Sequence, residues 1–99
     1  MSSAGPDTSA SHRRTCHFSG RVQGVGFRYA VKNIASCHNV RGYVRNLPDG
    51  RVELVMEGPD AEMLHLLDEV HQKMAGYIQD VKSDTARATG EFEQFSIRH

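Results

Sequence analysis

The chain has no excess of either charge. Its 99 residues carry 12 Lys and Arg against 12 Asp and Glu, a formal net charge of zero. A protein built for nucleic acid or an anionic membrane surface is expected to be basic, so the balance argues against both partners. Cysteine is scarce. Cys16 and Cys37 are the two, and they lack CxxC spacing. This indicates neither a zinc site nor a disulfide framework, and it fits reduced thiols in a cytoplasmic protein. No apolar run approaches the ~20 residues needed to span a bilayer. Residues 1–11 lack the apolar stretch of a signal peptide. The six histidines are scattered, with no HExxH and no evident metal pair.

What remains is a length that suits one domain with a modest, sufficient core. Residues 1–13 are rich in Ser, Gly, Pro, Asp and Thr and read as a flexible tail, with the domain over 14–99. Residues 14–22 alternate imperfectly and predict a strand. Phe27, Ala30, Val31, Ile34 and Ala35 fall at i, i+3, i+4, i+7 and i+8, one face of a helix that runs to about Cys37. Residues 40–46 and 51–57 read as two strands joined by a Pro48-Asp49-Gly50 turn, a β-hairpin in which Val52, Leu54 and Met56 share a face. Pro59 and Asp60 open a second helix with the stripe Met63, Leu66, Leu67, Val70 and Met74, ended by Gly76. A polar-faced strand over 77–85, a loop over 86–90 and a short strand holding Phe95 and Ile97 complete the chain. The order is β-α-β-β-α-β plus a short extra strand. That predicts an α+β, ferredoxin-like sandwich, with two helices on one face of a mostly antiparallel sheet.

Between the first strand and the first helix lies Gly20-Arg21-Val22-Gln23-Gly24-Val25-Gly26-Phe27-Arg28. Glycines let a loop take up positive φ and expose a run of N–H groups, and the helix start adds its own donors and a positive dipole end. Together these can cradle an anion, phosphate above all. Arg28 puts a cation in the first helical turn, where the dipole disfavours it, which points to service of an anion. No Lys-Ser or Lys-Thr follows, so this is not a Walker loop. Tyr29 stands where a dinucleotide fingerprint needs a third glycine. Cys16 is one residue too close to Arg21 for a cysteine-phosphatase loop. Composition alone leaves a plain strand-to-helix turn open. Asn46, where the first hairpin strand meets its turn, has a donor and an acceptor and could hold a water by one end and a phosphoryl oxygen by the other. It could equally cap the turn.

The first stretch resembles the first signature of the acylphosphatase family. Gly42-Tyr43-Val44-Arg45-Asn46, followed by Gly50-Arg51-Val52 and Gly58, resembles its second. The resemblance covers about residues 14–98. It implies the ferredoxin-like fold, hydrolysis of the carboxyl–phosphate bond of an acyl phosphate, and no metal or organic cofactor. It places the catalytic arginine on Arg28 and the catalytic asparagine on Asn46. The phosphate loop falls on the backbone N–H groups of Gln23, Gly24, Val25, Gly26, Phe27 and Arg28. The expected partner is a small-molecule acyl phosphate, with no nucleic acid and no membrane, for a cytoplasmic monomer. Two departures stand out: His17 and Ser19 interrupt the first strand, and the segment before Arg13 has no family counterpart.

Three other readings compete. An RNA-binding domain of the same element order needs stacking aromatics on its central strand, and residues 51–57 have none. A non-catalytic anion-binding or regulatory domain would have no need of Asn46. A domain of a hydrogenase-maturation protein, acting on carbamoyl phosphate, would carry further sequence, and the chain's end at His99 favours a free-standing enzyme. Arg21, Arg41, Arg45 and Arg51 could widen the positive field around the site, though Arg41 and Arg51 read better as solvated strand residues.

Overall fold

The computed structural model describes residues 11–99, and over them the chain forms seven elements. They are β1 (Ser11–Gly20), α1 (Phe27–Ala35), β2 (Arg41–Asn46), β3 (Val52–Pro59), α2 (Asp60–Met74), β4 (Ile78–Arg87) and β5 (Phe95–Arg98). The sheet order is β4-β1-β3-β2-β5. Neighbours run antiparallel except β2 and β5, which are parallel. This is the expected ferredoxin-like sandwich, with the extra strand on the far edge.

The helices lie over one face of the sheet because each has a single apolar stripe to bury. Phe27, Val31, Ile34 and Ala35 of α1 and Met63, Leu66, Val70 and Met74 of α2 are buried. They meet Cys16 and Phe18 of β1, Val44 of β2, and Val52, Leu54 and Met56 of β3 in one core. Ala30 and Leu67, expected in the same stripes, are only partly buried. His17 does not interrupt β1. Alternation turns it to the face away from the helices, where its Nε2 lies 3.0 Å from Glu53 of β3.

The element ends differ from expectation in instructive ways. β1 begins at Ser11, not residue 14, because Ser11–Arg13 continue the ladder opposite Pro59, Gly58 and Glu57. The expected tail otherwise lies outside the described residues. β4 extends to Arg87 for the same reason, His12 pairing with Arg87. Most of β4 is exposed, so no apolar pattern marked its end. Tyr77 lies just before the strand.

β4 and β5 occupy opposite edges, so residues 88–94 must cross the end of the sheet. Glu57, only 7% exposed, anchors that crossing. Its carboxylate accepts from the N–H of Thr89 (3.0 Å), the N–H of Gly90 (2.9 Å), the Thr89 hydroxyl (2.8 Å) and Arg13 Nε (2.8 Å). Phe92 is buried beside them, its ring 5.8 Å from that of Tyr43.

Candidate active site

The glycine-rich segment leaves β1 with its outline already set. Arg21 N donates to Tyr77 O (2.9 Å), Val22 is fully buried, and Val25 packs partly against the core. Gly24 and Gly26 both sit at φ 78°, where a side chain is strained. A Cβ at either would meet nothing within 4 Å, so it is the conformation that calls for glycine. Gly26 is the N-cap of α1 and offers no side-chain acceptor, and the first turn holds no acid. Ala30 N closes the first helical bond onto Gly26 O at 3.0 Å. Among the described residues, nothing accepts a hydrogen bond from the backbone N–H groups of Gln23 through Arg28. The result is a row of free donors at a positive helix end.

Arg28 stands in that first turn and forms no ion pair among the described residues. Arg13, Arg45 and Arg51 each do. Its guanidinium lies by the end of β5, 3.5 Å from Arg98 O and 3.3 Å from His99 Nδ1. Arg98 pairs in register with Arg45, the neighbour of Asn46, so Arg28 and Asn46 share one end of the sheet. Asn46 is the last residue of β2. Its Oδ1 is buried to less than 1 Å² and has no hydrogen-bond partner among the described residues. A buried acceptor left unpaired costs free energy, so such an atom calls for a partner from outside the chain. The other such atom, Arg14 Nε in β1, has no explanation in the site.

The sequence reading placed Gln23 in the loop through its backbone alone and missed its side chain. Nε2 donates to Leu47 O (2.8 Å) and to Arg51 O (2.9 Å), tying the loop to the β2–β3 turn just beyond Asn46. These partners are 24 and 28 residues away, so no local pattern signals them. The contacts of Arg28 with residues 98 and 99 were hidden in the same way.

Little of the wider positive field is available to the site, as the reading of Arg41 and Arg51 as solvated strand residues expects. Arg45 Nε is held 2.7 Å from Glu53, Arg51 Nε is 2.8 Å from Asp49, and Arg41 begins β2 at the opposite end. Asp49 and Glu53 are thereby engaged. Burial pushes the Glu53 carboxyl up, but donors from His17, Arg45 and Tyr43 outweigh it and hold its pKa below the ordinary value. The Arg51 N–H, aided by its guanidinium, lowers that of Asp49. Among the described residues no group of three or more His, Cys, Asp or Glu is arranged to hold a metal. A cavity of about 550 Å³ does exist, lined by Arg41, Glu57, Pro59 and Phe92 among others, but it contains none of the loop and lies at the far end of the same strands.

The sequence profile of the acylphosphatase family matches residues 14–97, nearly the whole described chain. The chain belongs to the acylphosphatase family. It is 41% identical over 91 residues to an acylphosphatase of Paenarthrobacter aurescens, with 91% of this chain and 97% of the relative covered. It is also 41% identical to one of Acidothermus cellulolyticus, with 94% of each covered. The fold superposes on the crystal structure of the Bacillus subtilis acylphosphatase with a TM-score of 0.80 at 31% identity, covering 89% of this chain and 99% of that one. Both family signatures lie within the matched segment. The structure brings the first signature to the Asn46 end of the second, the Gln23 side chain joining loop to turn. No helix among the described residues is long and apolar enough to cross a membrane.

Proposed function

We propose that the loop from Gln23 to Arg28 holds the phosphoryl group of an acyl phosphate and that Asn46 orients the water that attacks it. The chain is an acylphosphatase, a hydrolase that splits the carboxyl–phosphate bond into a carboxylate and inorganic phosphate. The buried, unpartnered Oδ1 of Asn46 beside the loop carries the assignment of roles. An attacking water supplies the donor this oxygen lacks, and the amide nitrogen is free to meet a phosphoryl oxygen. The six backbone N–H groups and the unpaired Arg28 guanidinium supply fixed positive charge without titrating near neutral pH.

These few groups suffice because the chemistry asks little more. The leaving group is the conjugate base of an acid of pKa ~4 and departs without a general acid. In a loose transition state, charge gathers on the equatorial oxygens while the water needs little deprotonation. The water oxygen bonds to phosphorus in line with the breaking P–O bond. That electron pair leaves on the carboxylate, and the protons end on phosphate and solvent. The protein positions and stabilises, and Asn46 orients without acting as a strong base. We take the working form to be a cytoplasmic monomer acting on a small molecule without nucleic acid. The zero net charge supports the absence of nucleic acid.

The test is hydrolysis of an aryl-acyl phosphate in excess chelator by wild type, Arg28→Ala and Asn46→Ala, with folding checked by circular dichroism. Wild type should turn over rapidly. Each folded variant should lose on the order of 10²–10³ in kcat. Near-normal turnover in either folded variant would remove that residue from its role. Phosphate binding without turnover in wild type would instead leave a regulatory anion-binding domain.

A further inference from the structure

We infer that the side chain of Gln23 is a positioning residue: a strut between the phosphate loop and the β2–β3 turn that sets where Asn46 stands relative to the phosphoryl group. This rests on the roles of loop and Asn46 proposed above. The strut is visible in the hydrogen bonds. One nitrogen, Nε2, donates at 2.8 Å to Leu47 O and at 2.9 Å to Arg51 O. Both partners are carbonyl oxygens, so the orientation of the amide is not open to a flip: only its NH₂ end can face them. Arg51 O also accepts from Leu47 N (2.8 Å), and Gly50 N bonds Leu47 O (3.1 Å), so the strut ends on the two carbonyls that close the turn. Leu47 follows Asn46 directly, and Asn46 pairs with Val52, which follows Arg51. The two hydrogen bonds therefore bracket Asn46 from either side of the hairpin.

The loop has few other means of holding this distance. Its glycines at 24 and 26 hold left-handed backbone and offer no side chain to brace it, and among the described residues nothing accepts from its backbone N–H groups from Gln23 to Arg28. Phosphate and water are thus held by two segments far apart in sequence, with the Gln23 carboxamide as the direct polar link between them among the described residues. Displacement of a reacting group by about 1 Å can cost on the order of 10² in rate. Gln23 touches neither the water nor the leaving group through this side chain, so its loss should act on kcat and leave phosphate capture largely intact.

Gln23→Met keeps the length of the side chain and removes both donors. With an aryl-acyl phosphate, kcat should fall about tenfold or more, while KM and competitive inhibition by inorganic phosphate change less than about threefold. In Asn46→Ala the strut has nothing left to position, so the double variant should be no slower than Asn46→Ala alone. Gln23→Asn retains the amide but is too short to reach both carbonyls. It should show the same split, and it carries the test should the methionine variant not fold. A merely structural role predicts a lower thermal midpoint with kcat unchanged, or losses that multiply in the double variant, and either result overturns the inference. Full turnover in Asn46→Ala would overturn the Asn46 reading itself. Loss there with normal kcat in Gln23→Met would overturn the strut alone.

Discussion

The two ends of the β2–β3 hairpin treat their polar groups in opposite ways. At the Asn46 end, loop N–H groups, the Arg28 charge and a buried amide oxygen are left without partners or counter-ions among the described residues. At the Arg41 end, the buried Glu57 carboxylate collects four donors from three residues. Burial alone would push that carboxyl up, but the N–H groups of Thr89 and Gly90, the Arg13 guanidinium and the Thr89 hydroxyl bring its pKa down to about 2. One end is finished, and its purpose is to hold a crossing loop. On the proposed reading, the other is complete only when a phosphoryl group and a water arrive. Saturated networks stabilise, and donors left open beside the same sheet are available to bind. The cavity beside Glu57 contains none of the loop.

The sharpest way to break this contrast is to exchange readouts between the ends. Arg28→Ala should lose on the order of 10²–10³ in kcat and yet leave stability unchanged or slightly raised, since it removes a cation from a helix N-terminus. A fall in the urea midpoint matching the loss of rate would contradict a site built from unpaired groups. Glu57→Ala should do the reverse. It strands Arg13 and frees residues 89–90, at a loss of roughly 3 kcal/mol of stability, with turnover within about twofold. Chemical denaturation and kinetics on the same preparations settle both.

Acid titration sharpens the comparison further. Glu57 in the folded chain binds its proton only near pH 2, against an ordinary value of 4.5. Its contribution is therefore fully present above about pH 4.5 and drains away as the pH falls towards 2. Glu57→Gln should flatten that part of the stability–pH curve, and a variant curve parallel to wild type would reject the assignment.

The smallest effect is expected at His38, beyond the C-terminal end of α1. Its Nδ1 lies 3.1 Å from Glu62 and its Nε2 2.6 Å from Glu69, both on α2. Only the imidazolium can donate from both nitrogens. Burial works against the charge, but hydrogen bonds to Glu69 and then Glu62 prevail, so the His38 pKa is raised above 6.5. The resulting stability is present below the unfolded value and is lost as pH rises through the folded one. His38→Gln should cost about 0.5–1 kcal/mol at pH 5.5 and almost nothing at pH 9, because its glutamates are partly solvated. An equal cost at both values would show packing, not charge.

Much of the site was legible because its parts are local. The glycines, the helix start and Arg28 are contiguous, and the hairpin that carries Asn46 is announced by Pro48-Asp49-Gly50. Strand ends were less legible where pairing and not pattern decides them, as at Ser11–Arg13 and at the exposed end of β4. Arg45 illustrates the limit: nothing in its neighbourhood in sequence says that Glu53 faces it across the hairpin at 2.7 Å and takes up its charge.

By itself, then, the sequence determined the element order, the two buried helical stripes and the two family signatures. All of these rest on spacing within one or two turns of chain. The tertiary structure alone decided which polar groups are satisfied. The sheet order β4-β1-β3-β2-β5 sends residues 88–94 across to saturate Glu57, brings Gln23 onto the carbonyls of Leu47 and Arg51, and leaves Asn46 Oδ1 without a partner among the described residues. A hydrogen bond depends on where two distant segments come to rest, and that is fixed only once the core has closed between them.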